Sequence, residues 1–253
     1  MGKEDSLDLK LREVRELEAL HTDHQKMMYG RNSAQKRKIR LQKIILERCQ
    51  GLDVLDMGCA EGDYGHFFLE AGAKSVLGMD LSPTKIERAK HRFAGKSRCE
   101  FLAGGLEEMA QLNRKFDFIL CTEVLQHIPN YLEFVNKLCD HLNLGGYFLY
   151  TVPYFSISGD NRRTNFNADE SSENLLKIIG GAGLGRTAGI WKFNIHTLNR
   201  EIIQSTGMTL EQTINVKRHF LNAVSLIILL LSRKLFSTDL INPYPVILFK
   251  KTT

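Results

Sequence analysis

The run Asp53-Val-Leu-Asp-Met-Gly-Cys-Ala-Glu-Gly62 constrains this chain more than any other stretch, because a strand-like segment breaks there into a glycine loop that opens a helix. At such a junction the first N–H groups of the helix lack partners and the helix dipole favours negative charge. The loop is therefore suited to a ligand bearing a carboxylate or phosphate. Gly58 and Gly62 would let that ligand come close to the backbone. A dinucleotide fingerprint would read G-x-G-x-x-G, and Cys59-Ala60-Glu61 breaks that spacing. The next strand, SVLGMD, ends in Asp80, where one carboxylate can accept both ribose hydroxyls of a nucleoside.

From Asp53 onward short apolar runs (DVLDM, SVLGMD, CEFLA, FDFILC and GYFLYTV) alternate with helical stretches at Tyr64–Ala71, Pro83–Phe93 and Tyr131–Leu142. That alternation predicts an α/β fold, a parallel sheet with helices on both faces. Upstream, Leu7–Leu20 and Ala34–Cys49 read as helices, since Ile39, Leu41, Ile44 and Ile45 recur at helical spacing. Residues 154–192, with SGDNRR and GGAGLG, read as an irregular insertion suited to an acceptor pocket. A helix from His196 to Ser205, stopped by Gly207, leads into TLEQTINV, and YPVILFKK supplies a last strand. These two strands would close the sheet edge as an antiparallel pair. The predicted organisation is an N-terminal helical cap (1–50), a ligand-binding core (51–153), an inserted lid (154–195) and a C-terminal completion of the sheet that includes an apolar helix (196–253).

At 253 residues and 43% hydrophobic content, the chain can bury one core. The excess of 34 Lys+Arg over 29 Asp+Glu gives +5, partly from Lys36–Lys43 (KRKIRLQK), which reads either as a solvated helix face or as a contact for an anionic surface. Five cysteines, with no CxxC pair and no histidine cluster at ligand spacing, support neither a zinc site nor a disulfide framework; no metal is expected, and a reducing cytoplasm fits. The N-terminus lacks the apolar core of a secretory signal, although Gly2 and Ser6 formally fit the N-myristoylation pattern. Within residues 220–236 the run Val224–Leu231 is interrupted only by Ser225. It falls short of the roughly 20 apolar residues needed to span a bilayer. It reads as a buried or homodimer-forming helix, or as one lying peripherally on a membrane with Arg218, Arg233 and Lys234 at its flanks.

D-x-G-C-A-E-G followed by G-M-D-L-S resembles motifs I and II of the class I S-adenosylmethionine-dependent methyltransferases. EFLAGGLEEM resembles their third motif, FDFILCTEVLQHIPN their fourth, and LNLGGYFLYTVP the strand-five motif. The resemblance implies a Rossmann-like seven-stranded sheet and S-adenosyl-L-methionine as cofactor. It further implies that Asp56, Gly58, Ala60 and Gly62 shape the pocket for the methionine part, Asp80 holds the ribose, and Leu81 packs on the adenine. Gly105 and Leu106 would meet the adenine edge, and Thr122 the amino acid portion. The family often carries an acid near position 104 or 105 for the adenine amino group, and this chain has Gly104-Gly105.

Within the class, the chain is most similar to the small-molecule O-methyltransferases of ubiquinone biosynthesis. Arg40-Leu41 resembles their Arg-Leu pair that contacts the cofactor carboxylate, and GRTAGIWKFNIHTLNREI resembles their segment leading into the sixth helix. Those enzymes have Glu at the position of Gln126 and are associated with magnesium, an ion that prefers carboxylate oxygens. The resemblance implies direct in-line methyl transfer to a small or lipid-linked acceptor, with His127 or His196 as candidate general base. Tyr29, Tyr154, Asp160, Arg162, Arg163 and Trp191, the only tryptophan, are candidates to touch the acceptor. Methylation of RNA or protein is the alternative that the positive charge suggests, and a non-catalytic cofactor-binding module is another. No DNA partner is expected, because TEVL stands where amino-group methylation of bases calls for an NPPY-type motif.

Overall fold

The computed structural model describes Glu16 and residues 32–152, 161–163, 191–214 and 245–252. Its strands are β1 (Asp53–Met57), β2 (Ser75–Asp80), β3 (Cys99–Ala103), β4 (Phe116–Thr122), β5 (Leu142–Thr151), β6 (Arg162–Arg163), β7 (Trp191–Lys192), β8 (Thr209–Ile214) and β9 (Val246–Lys250). The helices are α1 (Asn32–Arg48), α2 (Gly65–Glu70), α3 (Pro83–Arg92), α4 (Leu106–Ala110), α5 (Tyr131–Asp140) and α6 (Ile195–Thr206).

Seven strands form one sheet in the order β3-β2-β1-β4-β5-β9-β8. Neighbours from β3 to β5 pair in parallel, while β9 runs antiparallel to both β5 and β8. The last strand thus slots between β5 and β8, and β8 forms the edge. This is the Rossmann-like α/β arrangement, and its order reverses between β1 and β4. At such a switch point the loops after the two strands diverge and leave a crevice at their carboxyl ends.

Strand periodicity divides the core in two. Leu55, Ile119, Cys121, Phe148 and Tyr150 face a layer built by α5 and α6, with Val135, Leu138, Leu198 and Ile202. Their neighbours Val54, Phe118, Leu120 and Leu149 face α1 and α2, through Leu41, Ile44, Ile45 and Phe68. Parallel strands covered on both sides read as continuous apolar runs, which is why the sequence displays them so clearly.

Local chemistry sets the helix ends. Ser82 caps α3 by accepting the N–H of Lys85 at 3.2 Å, with Pro83 in the first turn. Asn194 caps α6 through the N–H groups of His196 and Thr197, and Gly207 ends it in the left-handed conformation at φ +70°. Three helices after β1 are shorter than the sequence suggests, α3 closing at Arg92 rather than Phe93. α2 closes at Glu70 rather than Ala71, and α5 at Asp140, because Leu142 already belongs to β5. Of the 154–195 insertion, the described parts are 161–163 and 191–195, which include a two-stranded ladder in which Arg162 pairs with Lys192 and Arg163 with Trp191. The proposed helix at 220–236, and Leu7–Leu20 apart from Glu16, lie outside the described residues. Among the described residues no helix is long and apolar enough to cross a membrane.

Phe118 has no exposed surface and meets Phe68 edge-on at 6.2 Å between ring centroids. Phe118→Ala should lower the unfolding free energy by about 3–5 kcal/mol, read from urea unfolding followed by circular dichroism.

Candidate functional site

The loop after β1 is held in shape by the end of β2. The N–H groups of Gly58 and Cys59 both donate to the Met79 carbonyl, at 2.7 and 3.0 Å. One step further, the Asp80 carboxylate accepts from Ala60 N–H through Oδ2 and from Ser82 N–H through Oδ1, each at 3.0 Å. Asp80 therefore joins two loops while keeping acceptor capacity on each oxygen, since a carboxylate offers about four lone-pair sites. Ala60 takes φ +49° within this turn.

The two glycines singled out by sequence serve different neighbours. At Gly58 (φ +80°) a Cβ would stand 2.2 Å from Cγ2 of Val124, so the loop after β4 seats directly on the loop after β1. At Gly62 a Cβ would meet the rings of Phe93 and Phe101, at 2.9 and 3.1 Å. The close approach at Gly62 is thus made by two aromatic side chains.

Beneath these loops lies a concentration of acid. Asp56 is 2% exposed, and burial, followed by the charges of Asp63 and Asp80, pushes its carboxyl well above the usual carboxylate range. Its Oδ1 is buried without a hydrogen-bond partner. Two arginines one turn apart on α3 brace the loop from outside: Arg88 meets Glu61 at 3.0 Å and Arg92 meets Asp63 at 3.2 Å.

The end of β4 contributes Thr122, which is buried, and Glu123, a non-glycine residue at φ +57°. A left-handed conformation at such a residue is unusual and persists where surrounding contacts impose it. Here the Glu123 N–H donates to the Thr151 carbonyl, and its carboxylate accepts from the Thr151 hydroxyl at 3.0 Å and pairs with Arg37 at 3.5 Å. Burial raises the Glu123 carboxyl, against the opposing pull of Arg37 and Thr151. Burial also lifts the Tyr64 hydroxyl to about 12, opposed by the Arg37 charge and hydrogen bond.

Arg37 was not among the residues chosen from sequence, which selected Arg40. Arg37 is 6% exposed and reaches the site, whereas Arg40 is half-buried one turn further along α1. The signal was present: 37, 41, 44 and 45 share one helix face, and Leu41, Ile44 and Ile45 are core residues.

At the end of β3, Gly104 donates its N–H to the Asp80 carbonyl at 2.9 Å. Glu108 accepts the N–H of Gly105 at 2.7 Å and so opens α4. Leu81, Gly105 and Leu106 are half-buried, available as walls.

His127 closes a 3-10 turn, Leu125–His127, directly after Glu123 and Val124, and is half-buried with its Nε2 3.3 Å from Nε2 of Gln126. The buried Oε1 of Gln126 has no partner. Among the described residues no group of three or more His, Cys, Asp or Glu side chains could hold a metal ion. Gln126 offers an amide and Glu123 is engaged with Arg37 and Thr151, so these two side chains do not present the free carboxylates that magnesium prefers.

Of the remaining candidates, His196 and Trp191 have described side chains. His196 is exposed in the first turn of α6, a helix packed against α5 and β8. Trp191 donates its indole N–H to the carbonyls of Ile128 and Pro129, at 3.0 and 3.1 Å, and packs edge-on against Tyr131. It ties the end of the insertion to the turn that carries His127. Asn161 adds a second tie, donating to Glu201 at 2.7 Å and to the Tyr131 hydroxyl at 3.1 Å. Tyr29, Tyr154, Asp160 and the side chains of Arg162 and Arg163 lie outside the described residues.

The β1/β4 switch point, the glycine loop after β1 and the acid at the end of β2 stand in the arrangement expected of a class I methyltransferase site. The family described as "Methyltransferase domain" matches residues 54–146, and the chain is similar to S-adenosylmethionine-dependent methyltransferases. A probable S-adenosylmethionine-dependent methyltransferase of Mycolicibacterium smegmatis is 28% identical over 143 residues, 55% of this chain and 54% of that protein. The ubiquinone biosynthesis O-methyltransferase of Vibrio cholerae is 28% identical over 140 residues, 53% of this chain and 55% of that protein. The chain thus spans about half the length of the curated relatives it matches. In fold it is similar to the 1,6-didemethyltoxoflavin-N1-methyltransferase of Burkholderia thailandensis, with a TM-score of 0.65 and 18% identity over 100% of this chain and 92% of that one.

The raised carboxyl of Asp56 has a thermodynamic sign. In the unfolded chain this group ionises near about 4, while the folded state holds the proton to higher pH. Stability is therefore lost as pH rises from the ordinary aspartate range through the raised folded value. Asp56→Asn should raise the ligand-free melting temperature at pH 7, at about 2–4 °C per kcal/mol. Differential scanning calorimetry from pH 4 to 8 checks this, and a lower melting temperature in the variant contradicts it.

Proposed function

We propose that this chain transfers a methyl group from S-adenosylmethionine to an oxygen of a small or lipid-linked acceptor by direct in-line displacement. The observation that carries the reading is the buried Asp56, which keeps a carboxylate oxygen without a partner close enough to Asp80 for their charges to interact. A ligand with a positively charged end and a ribose satisfies both carboxylates, and S-adenosylmethionine has both. Asp56 and Thr122 would meet its amino acid portion, with Arg37 and Arg40 on α1 as cations for its carboxylate. Gly58 and Ala60 would supply backbone, Asp80 would accept from the ribose, and Leu81 and Leu106 would flank the adenine.

When bound, the cofactor supplies a methyl carbon activated by a positively charged sulfur and leaves as a neutral thioether. The chain aligns the acceptor and keeps water out. His127, on the turn that the Trp191 indole braces, receives the hydroxyl proton as the new C–O bond forms, ending the step as imidazolium beside a neutral ether. Its place at the carboxyl end of β4 favours it over the exposed His196 as base.

Support for oxygen as the acceptor atom comes from the likeness to the Vibrio cholerae ubiquinone biosynthesis O-methyltransferase. A lipid-linked acceptor, or peripheral contact with a membrane, is suggested by the apolar Val224–Leu231.

Purified protein incubated with labelled S-adenosylmethionine and with lipid and polar metabolite extracts should yield one labelled small molecule by mass spectrometry. Label confined to RNA or protein contradicts the proposal. With that product as substrate, His127→Gln should lower the turnover number on the order of 10²-fold, with the cofactor dissociation constant nearly unchanged by calorimetry. Loss of cofactor binding in the variant would remove His127 as the base.

A further inference from the structure

The geometry points to Trp191 as a positioning residue that governs the reaction through His127 and not as a contact for the acceptor. This inference rests on the reading of His127 as the base.

The stretch from Glu123 to Pro129 leaves the carboxyl end of β4 and is held at both ends. At its start Glu123 donates its N–H to the Thr151 carbonyl, and its carboxylate meets Arg37 at 3.5 Å. Between the ends, His127 N–H donates to the Val124 carbonyl at 2.8 Å and Ile128 N–H to that of Leu125 at 3.2 Å. Ile128 is extended, at φ −87° and ψ 121°, so its carbonyl leaves helical register. The Trp191 indole N–H takes that carbonyl and the next, at 3.0 and 3.1 Å. An indole has one polar hydrogen and accepts nothing. Both carbonyls therefore depend on a single donor, which has no further hydrogen bond to offer an acceptor.

The ring is fixed by its neighbours. It stacks on Phe193, with planes 11° apart and centroids at 6.0 Å, and meets Tyr131 edge-on at 5.0 Å. Tyr131 and Phe193 are buried core residues, and the Tyr131 hydroxyl donates to Glu201 on α6 at 2.6 Å. Asn161, which precedes β6, donates to the same hydroxyl and to Glu201, and its Oδ1 accepts the N–H of Asn194 at 2.9 Å. Both arms of the insertion thus meet at Tyr131, the first residue of α5, and Trp191 fastens the turn carrying His127 to that anchor. Placement matters in a transfer that needs aligned atoms, where a shift of about 1 Å costs up to about 100-fold in rate.

Trp191→Phe, which keeps a ring and removes the N–H, tests the assignment with labelled S-adenosylmethionine and a dilution series of the extract fraction that supplies the acceptor. The turnover number should fall on the order of tenfold. The half-maximal extract dilution and the dissociation constant of S-adenosylhomocysteine should each stay within about twofold. The benzothienyl analogue at 191, in which sulfur replaces the N–H in a ring of the same shape, should reproduce the loss. In a His127→Gln background, where the base is already gone, Trp191→Phe should change turnover by less than about twofold. A shifted half-maximal dilution with turnover retained would mean that Trp191 touches the acceptor, and an equal loss in the His127→Gln background would mean that it supports the fold generally. Both results overturn the inference, as does unchanged turnover in Trp191→Phe. His127→Gln at wild-type turnover removes the base reading, and wild type that labels no small molecule removes the methyl-transfer reading, each taking this inference with it.

Discussion

The carboxylate of Asp80 accepts backbone N–H groups from two different loops, and the rim of the site depends on it. Ala60 belongs to the turn after β1 and Ser82 to the turn that starts α3, so their common acceptor fixes the distance between the two elements, which Arg88 and Arg92 also tie from outside. The same residue receives Gly104 at its own carbonyl, which brings the end of β3 into the arrangement. Charge-assisted hydrogen bonds of this kind are stronger than neutral ones and leave the carboxylate able to accept more. One residue thereby organises the rim and offers it to a ligand.

Below that rim the protein tolerates an electrostatic cost. Asp56 is buried near Asp63 and Asp80, with one oxygen unsatisfied, an arrangement that disfavours its charged form and destabilises the ligand-free fold at neutral pH. The arginines around it are placed at the edges of the acidic region, Arg88 and Arg92 outside the first loop and Arg37 against Glu123, so they limit the repulsion without neutralising Asp56 itself. Native structures that keep an unpaired buried acid in a crevice commonly use it on a ligand.

Much of the frame was legible from sequence. DVLDM, SVLGMD and CEFLA coincide with β1, β2 and β3, and Gly207 stops α6 as expected, because the strands of a covered parallel sheet read as largely apolar runs and a left-handed helix end favours glycine. Helix α4 escaped notice since five residues are too few to display a period. Gly62 was read from sequence as a glycine that lets a ligand approach, and the structure brings Phe93 and Phe101, residues distant in sequence, against it. Trp191 was legible as a residue with work to do at the insertion, and its indole N–H is taken by carbonyls about sixty positions earlier.

The sequence by itself determined the alternation of strands and helices, the turn after β1 and the acid at the end of β2, all of which follow from local spacing and from backbone conformations that few residues adopt. Only the tertiary structure decided that Arg37 pairs with Glu123, that Val124 covers Gly58, and that Glu108 lies over Gly104. Those outcomes depend on how α1, the turn after β4 and α4 pack against the ends of the sheet. Such packing is set by partners far apart in the chain, and local spacing carries no record of it.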